Sequence, residues 1–235
     1  MKSSSGYTEF VDRVRLSGRL WLQPLQVMAV TLLLLLMLPI GSGANAAVPA
    51  SAGTGTHVYL LRGVLNIFSL GLDDIAAKLQ AQGIPVTVVN YLSWSSLADE
   101  AAAEYRSGRV RTIVLVGHSS GATVLPDMVA RLDQLGAPVK LAIGLDSVFR
   151  TSLSGRVGRY INFYIANGNG EPVARTSQLR GSLENVNVQN VPGVGHITID
   201  KNEIIQRRVI SAIDAVAFSG RPREASAKPE ASAAR

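Results

Sequence analysis

The 235-residue sequence has no cysteine, which excludes a disulfide scaffold and any thiolate metal site. It has three histidines and no His-x-x-x-His pair, so no metal is expected. Charged residues make up 17%, below the usual quarter, and aromatic residues 6%. The net charge of +6 is spread without any basic block interleaved with aromatics, so no nucleic-acid partner is expected. No glycine-rich phosphate loop follows a strand, and no cofactor is expected. No internal repeat is present. With 47% hydrophobic residues, the chain as a whole is not disordered, and its length suits one hydrophobic core.

What is present begins with an address. Residues 27–40, VMAVTLLLLLMLPI, are an uncharged apolar run of 14. Arg13, Arg15 and Arg19 precede it, and the small residues Ala44-Asn45-Ala46 follow. Basic, apolar, small-residue order is the pattern of a secretory signal. The alternative is an uncleaved anchor. Residues 20–40 give 21 positions, long enough to span a bilayer, although Gln23, Pro24 and Gln26 weaken the longer run. Either reading places residues 47 onward outside the cytoplasm, periplasmic or extracellular. The expected organisation is therefore a signal peptide or membrane anchor (1–46), a small-residue linker (47–56), a folded domain (57–218) and a disordered tail (219–235) rich in Pro, Ala, Ser and charge.

Within 57–218, strand and helix patterns alternate. Strands are predicted at 57–62, 85–90, 111–116, 139–145, 160–165 and 185–190. Helices are predicted at 70–82, 96–106, 122–135 and 200–218, the first on the spacing of Leu72, Ile75, Ala76 and Leu79. The runs at 111–116 and 139–145 are continuously apolar, as in strands buried on both faces. The pattern implies a three-layer α/β domain with a mostly parallel sheet of about six strands.

The chemical signal is Gly117-His118-Ser119-Ser120-Gly121, Gly-x-Ser-x-Gly between a strand and a helix. Such a turn lifts a serine hydroxyl above the carboxyl edge of the sheet, where the helix N-terminus faces any developing oxyanion. A serine nucleophile needs a base and an orienting acid. His118 lies inside the turn and is expected to point away from the partner of Ser119. His57 starts the first strand, at the far edge of the sheet. His196 sits in a glycine-flanked loop between the last strand and the last helix, at the same edge as Ser119. For the acid, Asp146 directly follows the strand 139–145, and Glu171 follows the next strand in a glycine-rich loop. The strand-end position favours Asp146, with Glu171 as the alternative acid.

The chain resembles the α/β-hydrolase superfamily over roughly residues 57–218, through the GHSSG turn, strand-end Asp146 and loop His196. In most members the acid follows the second strand after the nucleophile. Here it comes one strand earlier, similar to a variant seen in thioesterases among others. The small size and missing lid also resemble cutinase-like esterases, although true cutinases are disulfide-bonded. The resemblance implies Ser119 as nucleophile, His196 as base and Asp146 as the residue orienting it. It implies oxyanion donors at the Ser120 N–H and in the loop Gly63-Val64.

The expected substrate is a small-molecule or lipid ester, or a thioester, with acyl transfer or a silent binding fold as competing readings. Leu65, Phe68 and Trp94 are candidates for the acyl side or for the core. Val148, Phe149 and Leu153 are candidates for a small flap. Arg150, Arg156 and Arg159 form either an anion-binding cluster or a solvated loop.

Overall fold

A computed structural model describes residues 55–219, apart from Leu65 and Asn169. The apolar segment 20–40, the other residues before 55 and the tail beyond 219 lie outside the described residues. Among the described residues, no helix is long and apolar enough to cross a membrane.

The elements run β1 (Thr56–Arg62), α1 (Gly71–Ala81), β2 (Val86–Asn90), a 3-10 turn (Tyr91–Ser93), α2 (Trp94–Arg106), β3 (Thr112–His118), α3 (Ser120–Gln134), β4 (Val139–Leu145), β5 (Ser152–Leu153), β6 (Arg156–Tyr164), β7 (Ala174–Arg175), β8 (Arg180–Asn187) and α4 (Glu203–Ala217). Six strands form one sheet in the order β2-β1-β3-β4-β6-β8, and every pairing is parallel. All carboxyl ends therefore share one edge. Two-residue strands β5 and β7 make a separate parallel pair that the sequence did not announce.

The period-2 geometry of a strand sorts its side chains to two cores. In β3, Val114 and Val116 join the core beneath α1 and α4, while Ile113 and Leu115 join the core beneath α2 and α3. β1 divides in the same way, Val58 and Leu60 against Tyr59 and Leu61. This is why these strands read as unbroken apolar runs. Each helix faces the sheet with one stripe; in α1 the buried side is Leu72, Ile75, Ala76 and Leu79. Full burial of each larger side chain stabilises the fold by about 1.5–3 kcal/mol.

Two predicted strand starts move by four residues or more. β6 starts four residues earlier than expected, at Arg156, and β8 starts at Arg180 rather than 185. The amino halves of both strands are largely exposed, so their apolar pattern is broken there. Backbone pairing between β6 and β8 holds them as strands.

The earlier start of β6 also decides between the two readings of the arginines, against an anion-binding cluster. Arg156 and Arg159 stand in the amino half of β6, away from the carboxyl edge. Arg156 pairs with Asp133 and Arg159 with Glu184, while Arg150 pairs with Glu171. Three separate ion pairs replace a common anion site. Leu153 is fully buried in the α2–α3 core and is no part of a flap.

Candidate active site

β3 runs two residues further than its apolar stretch, through Gly117 and His118, and α3 begins at Ser120. Ser119 is the only residue between them. Its backbone takes φ 59° and ψ −122°, outside the small left-handed basin open to ordinary residues. The sheet holds this conformation, since the Ser119 N–H donates to the Leu145 carbonyl at 3.0 Å. The flanking glycines allow backbone contact that no side chain would permit. A Cβ on Gly117 would lie 2.4 Å from the Gly121 carbonyl oxygen, and one on Gly121 would lie 2.0 Å from that of Leu61. The first turn of α3 thus rests directly on β1.

Asp146 follows β4 with φ 50°, and its N–H donates to the Phe163 carbonyl at 2.8 Å, which extends the ladder toward β6. Its side chain is fully buried. One carboxylate oxygen, Oδ1, accepts the Ile165 N–H at 3.0 Å. The other, Oδ2, lies 2.6 Å from His196 Nδ1. His196 Nε2 in turn lies 3.0 Å from Ser119 Oγ. The His196 loop is held by its own polar groups. Thr198 Oγ1 accepts the Gly195 N–H at 2.8 Å and donates to the Gly193 carbonyl at 2.9 Å. Asn202 Nδ2 donates to the Pro192 carbonyl at 2.9 Å.

The structure therefore brings Ser119, His196 and Asp146 into one hydrogen-bonded chain. Glu171 is not in it, because its carboxylate is paired with Arg150 and its side chain is 44% exposed. His57 lies at the amino end of β1, with Nε2 2.9 Å from Thr87 Oγ1 and its ring stacked on Tyr59.

The oxyanion expectation needs one correction. The Gly63 N–H is committed to Ser69 Oγ at 2.9 Å, so it is not a free donor. Gly63 serves the site by having no side chain: a Cβ there would lie 2.9 Å from Ser119 Cβ and 3.2 Å from Oγ. That leaves the N–H of Val64 in this loop, beside that of Ser120, which as the first helical residue has no intrahelical partner.

His118 also departs from expectation. It does not turn away; it lies fully buried against the His196 loop. Nδ1 is 2.9 Å from Ser69 Oγ, and Nε2 is 2.8 Å from the His196 carbonyl oxygen. Burial holds its pKa below the ordinary histidine value, partly opposed by the nearby Asp200 carboxylate. Asp200 is buried too, which raises its pKa, and its Oδ2 accepts the Gly71 N–H at 2.8 Å. Ser69 and Asp200 carried no sequence signal. His118 stood in plain view inside the motif, but nothing in the sequence said what its two nitrogens would meet.

The large apolar side chains left exposed among the described residues are Val64, Ile67, Phe68, Leu70, Leu92, Phe149 and Ile197. All lie in segments following β1, β2, β4 or β8, at the carboxyl edge that bears Ser119. Trp94 is only part-buried and packs at the fringe of the α2–α3 core. A groove between β6, β8 and α4, lined by Ile161, Phe163 and Ile204 among others, includes none of the residues around Ser119.

The parallel sheet order, the helices on both faces and the strand–turn–helix elbow define a three-layer α/β-hydrolase-like fold. No family model and no curated protein matches the sequence. Among solved structures, the chain is similar to the product of the gene lin2722 from Listeria innocua, at 10% identity over 72% of this chain and 96% of that one, with a TM-score of 0.49. It is also similar to an acetylxylan esterase (16% identity, 71% and 100% coverage, TM-score 0.43). A third is the RedJ thioesterase of the prodiginine biosynthetic pathway in Streptomyces coelicolor (12% identity, 71% and 87% coverage, TM-score 0.40).

Proposed function

We propose that this protein is an exported serine hydrolase that cleaves carboxylic esters or thioesters through an acyl-enzyme. The observation that supports this most is the chain from Ser119 Oγ to His196 Nε2 at 3.0 Å and from His196 Nδ1 to Asp146 Oδ2 at 2.6 Å. A silent binding fold has no need to keep all three groups in register beside a strained serine.

In this reading Ser119 Oγ attacks the carbonyl carbon while His196 Nε2 takes its proton. The buried Asp146 carboxylate fixes the imidazole with Nδ1–H toward itself and stabilises the cation that forms. The Ser120 and Val64 N–H groups receive the charge on the carbonyl oxygen. The imidazolium then protonates the leaving alkoxide or thiolate. Water, activated by the same ring, releases the acid and regenerates Ser119. The exposed apolar side chains around this edge favour esters with an apolar portion, lipid esters among them. Export rests on the basic, apolar, small-residue order of the first 46 residues.

Labelling of the full chain with a fluorophosphonate, beside its Ser119→Ala variant, tests the reading. The wild type alone is expected to label. A folded wild type that does not label refutes it. Product analysis with water against glycerol then separates hydrolysis from transfer: free acid as sole product supports hydrolysis.

A further inference from the structure

Two loops flank Ser119. One, residues 63–70, holds the Val64 donor; the other, residues 188–202, holds His196. His118 touches both. The direction of each hydrogen bond follows from what each partner is able to do. A carbonyl oxygen only accepts, so His118 Nε2 must carry the proton that reaches the His196 carbonyl. In the neutral ring Nδ1 is then an acceptor, and Ser69 O–H donates to it. Ser69 Oγ still has lone pairs, and one accepts the Gly63 N–H. The sequence Gly63 N–H to Ser69 O–H to His118 Nδ1, then His118 Nε2–H to the His196 carbonyl, satisfies every donor along it.

A protonated ring would break this order. Nδ1–H and the Gly63 N–H would then both point at Ser69 Oγ, leaving the serine proton without a partner in a fully buried place. It would also set a cation 5.3 Å, ring centre to ring centre, from His196, which must itself become cationic during turnover. The charged groups facing His118 besides His196 are Asp200 and Asp146. A second tie joins the His196 loop to the start of α1, directly after the Val64 loop, since Asp200 accepts the Gly71 N–H. Gly71 itself is pressed against the backbone there; a Cβ on it would lie 2.3 Å from the Asp200 carbonyl oxygen.

We propose that His118 is a two-ended positioning residue. Its Nε2–H sets the His196 loop, and Ser69 on its other side sets the loop that carries the Val64 donor. One buried neutral ring thereby places base and oxyanion donor relative to Ser119. The proposal rests on the hydrolase reading for its kinetic consequences, but the geometry it asserts is measurable without turnover.

The two arms are separable by substitution in the full chain. His118→Gln keeps an amide N–H at the reach of Nε2, and His118→Asn keeps a polar atom near the place of Nδ1 only. Ser69→Ala cuts the other arm. His118→Asn is expected to lower kcat about ten- to hundredfold with little change in KM, the scale of a base misplaced by a fraction of an ångström to an ångström. His118→Gln is expected to recover most of that loss. Ser69→Ala is expected to lower kcat while leaving the downfield proton resonance of the His196–Asp146 hydrogen bond in place, whereas His118→Asn shifts or broadens it. A folded His118→Asn with wild-type kcat and an unchanged resonance overturns the proposal. So do Asn and Gln variants that lose activity equally and in step with their melting temperatures. If the wild type neither labels with fluorophosphonate nor turns over, the hydrolase reading fails, and the resonance in His118→Asn against His118→Gln still decides the positioning.

Discussion

Gly170 presses its bare Cα against the Asp146 carboxylate. A Cβ at Gly170 would lie 2.0 Å from Asp146 Oδ1 and 3.0 Å from Cγ. The glycine-rich loop after β6 therefore walls in the Asp146 carboxylate, while its own Glu171 turns to Arg150. Gly170→Ala must push Asp146 or the loop aside. We predict a loss of stability of about 1–3 kcal/mol from overpacking. A fall in kcat should exceed what that instability explains, because the displaced carboxylate no longer meets His196 Nδ1. Urea titration and ester kinetics at a temperature well below unfolding check both.

Asp146→Asn and Glu171→Gln should separate sharply. The first leaves the His196 ring without its anionic partner and should cost about 10³–10⁴ in kcat. The second removes only an exposed pairing with Arg150, which contributes at most about 1 kcal/mol to stability and nothing to the chain ending at Ser119. Steady-state kinetics of the two variants side by side gives the ranking, and the reverse order moves the acid to Glu171.

The backbone strain at Ser119 has a thermodynamic signature. Glycine adopts a positive φ without the steric cost that a Cβ imposes. Ser119→Gly should therefore be more stable than Ser119→Ala by about 1 kcal/mol, after allowance for glycine's freer unfolded chain. Both should be inactive. Equal urea midpoints would show that the turn stores no strain.

Stability should also depend on pH in a definite direction. Burial lowers the pKa of His57 and of His118, with Glu104 and Asp200 respectively opposing it. The unfolded chain takes up protons near the ordinary value of about 6.5, which the folded chain refuses. Their contribution is thus fully present above that value and is lost as pH falls toward the depressed folded values. Each histidine adds up to about 1.4 kcal/mol per pH unit to the slope in that window. Asp200, raised by burial, runs the opposite way, between the ordinary carboxylate value and its own. Urea midpoints at pH 7.5 and 5.5 test the sign, and a flat profile contradicts it.

The exposed apolar edge makes a prediction about chain length. Replacing Ile67, Phe149 and Ile197 together by serine removes three large apolar surfaces at the sheet edge that bears Ser119. KM for long-acyl esters should rise about tenfold or more, at roughly 0.8 kcal/mol for each methylene no longer covered. KM for acetyl esters should rise far less. Equal effects on both would place the acyl chain elsewhere.

Much of the fold was legible because buried parallel strands and one-sided helices leave strong periodic marks. β3 and β4 read as apolar runs, and α1 read from Leu72, Ile75 and Leu79. The exposed halves of β6 and β8 left no such mark, since backbone pairing rather than side-chain burial defines them. The meeting of Ser119, Asp146 and His196 was legible because all three follow strands of one parallel sheet, and parallel strands end at one edge. The groups that surround these three side chains were not legible. Ser69 and Gly170 act through atoms brought close by the fold, Ser69 a hydroxyl and Gly170 a missing Cβ. The arginines at 150, 156 and 159 looked like one group only because they are near in sequence; a turn into β6 sends them to three different carboxylates.

The uniform strand direction has a practical outcome. β1 enters the sheet at Thr56, at the amino edge, while Ser119 opens at the carboxyl edge, a strand length of roughly 20 Å away. A bead, chip or fusion partner coupled at Gly55 itself would therefore meet the domain on the side opposite Ser119. Attached at that residue, the domain presents Ser119 and the exposed apolar side chains of its edge away from the support.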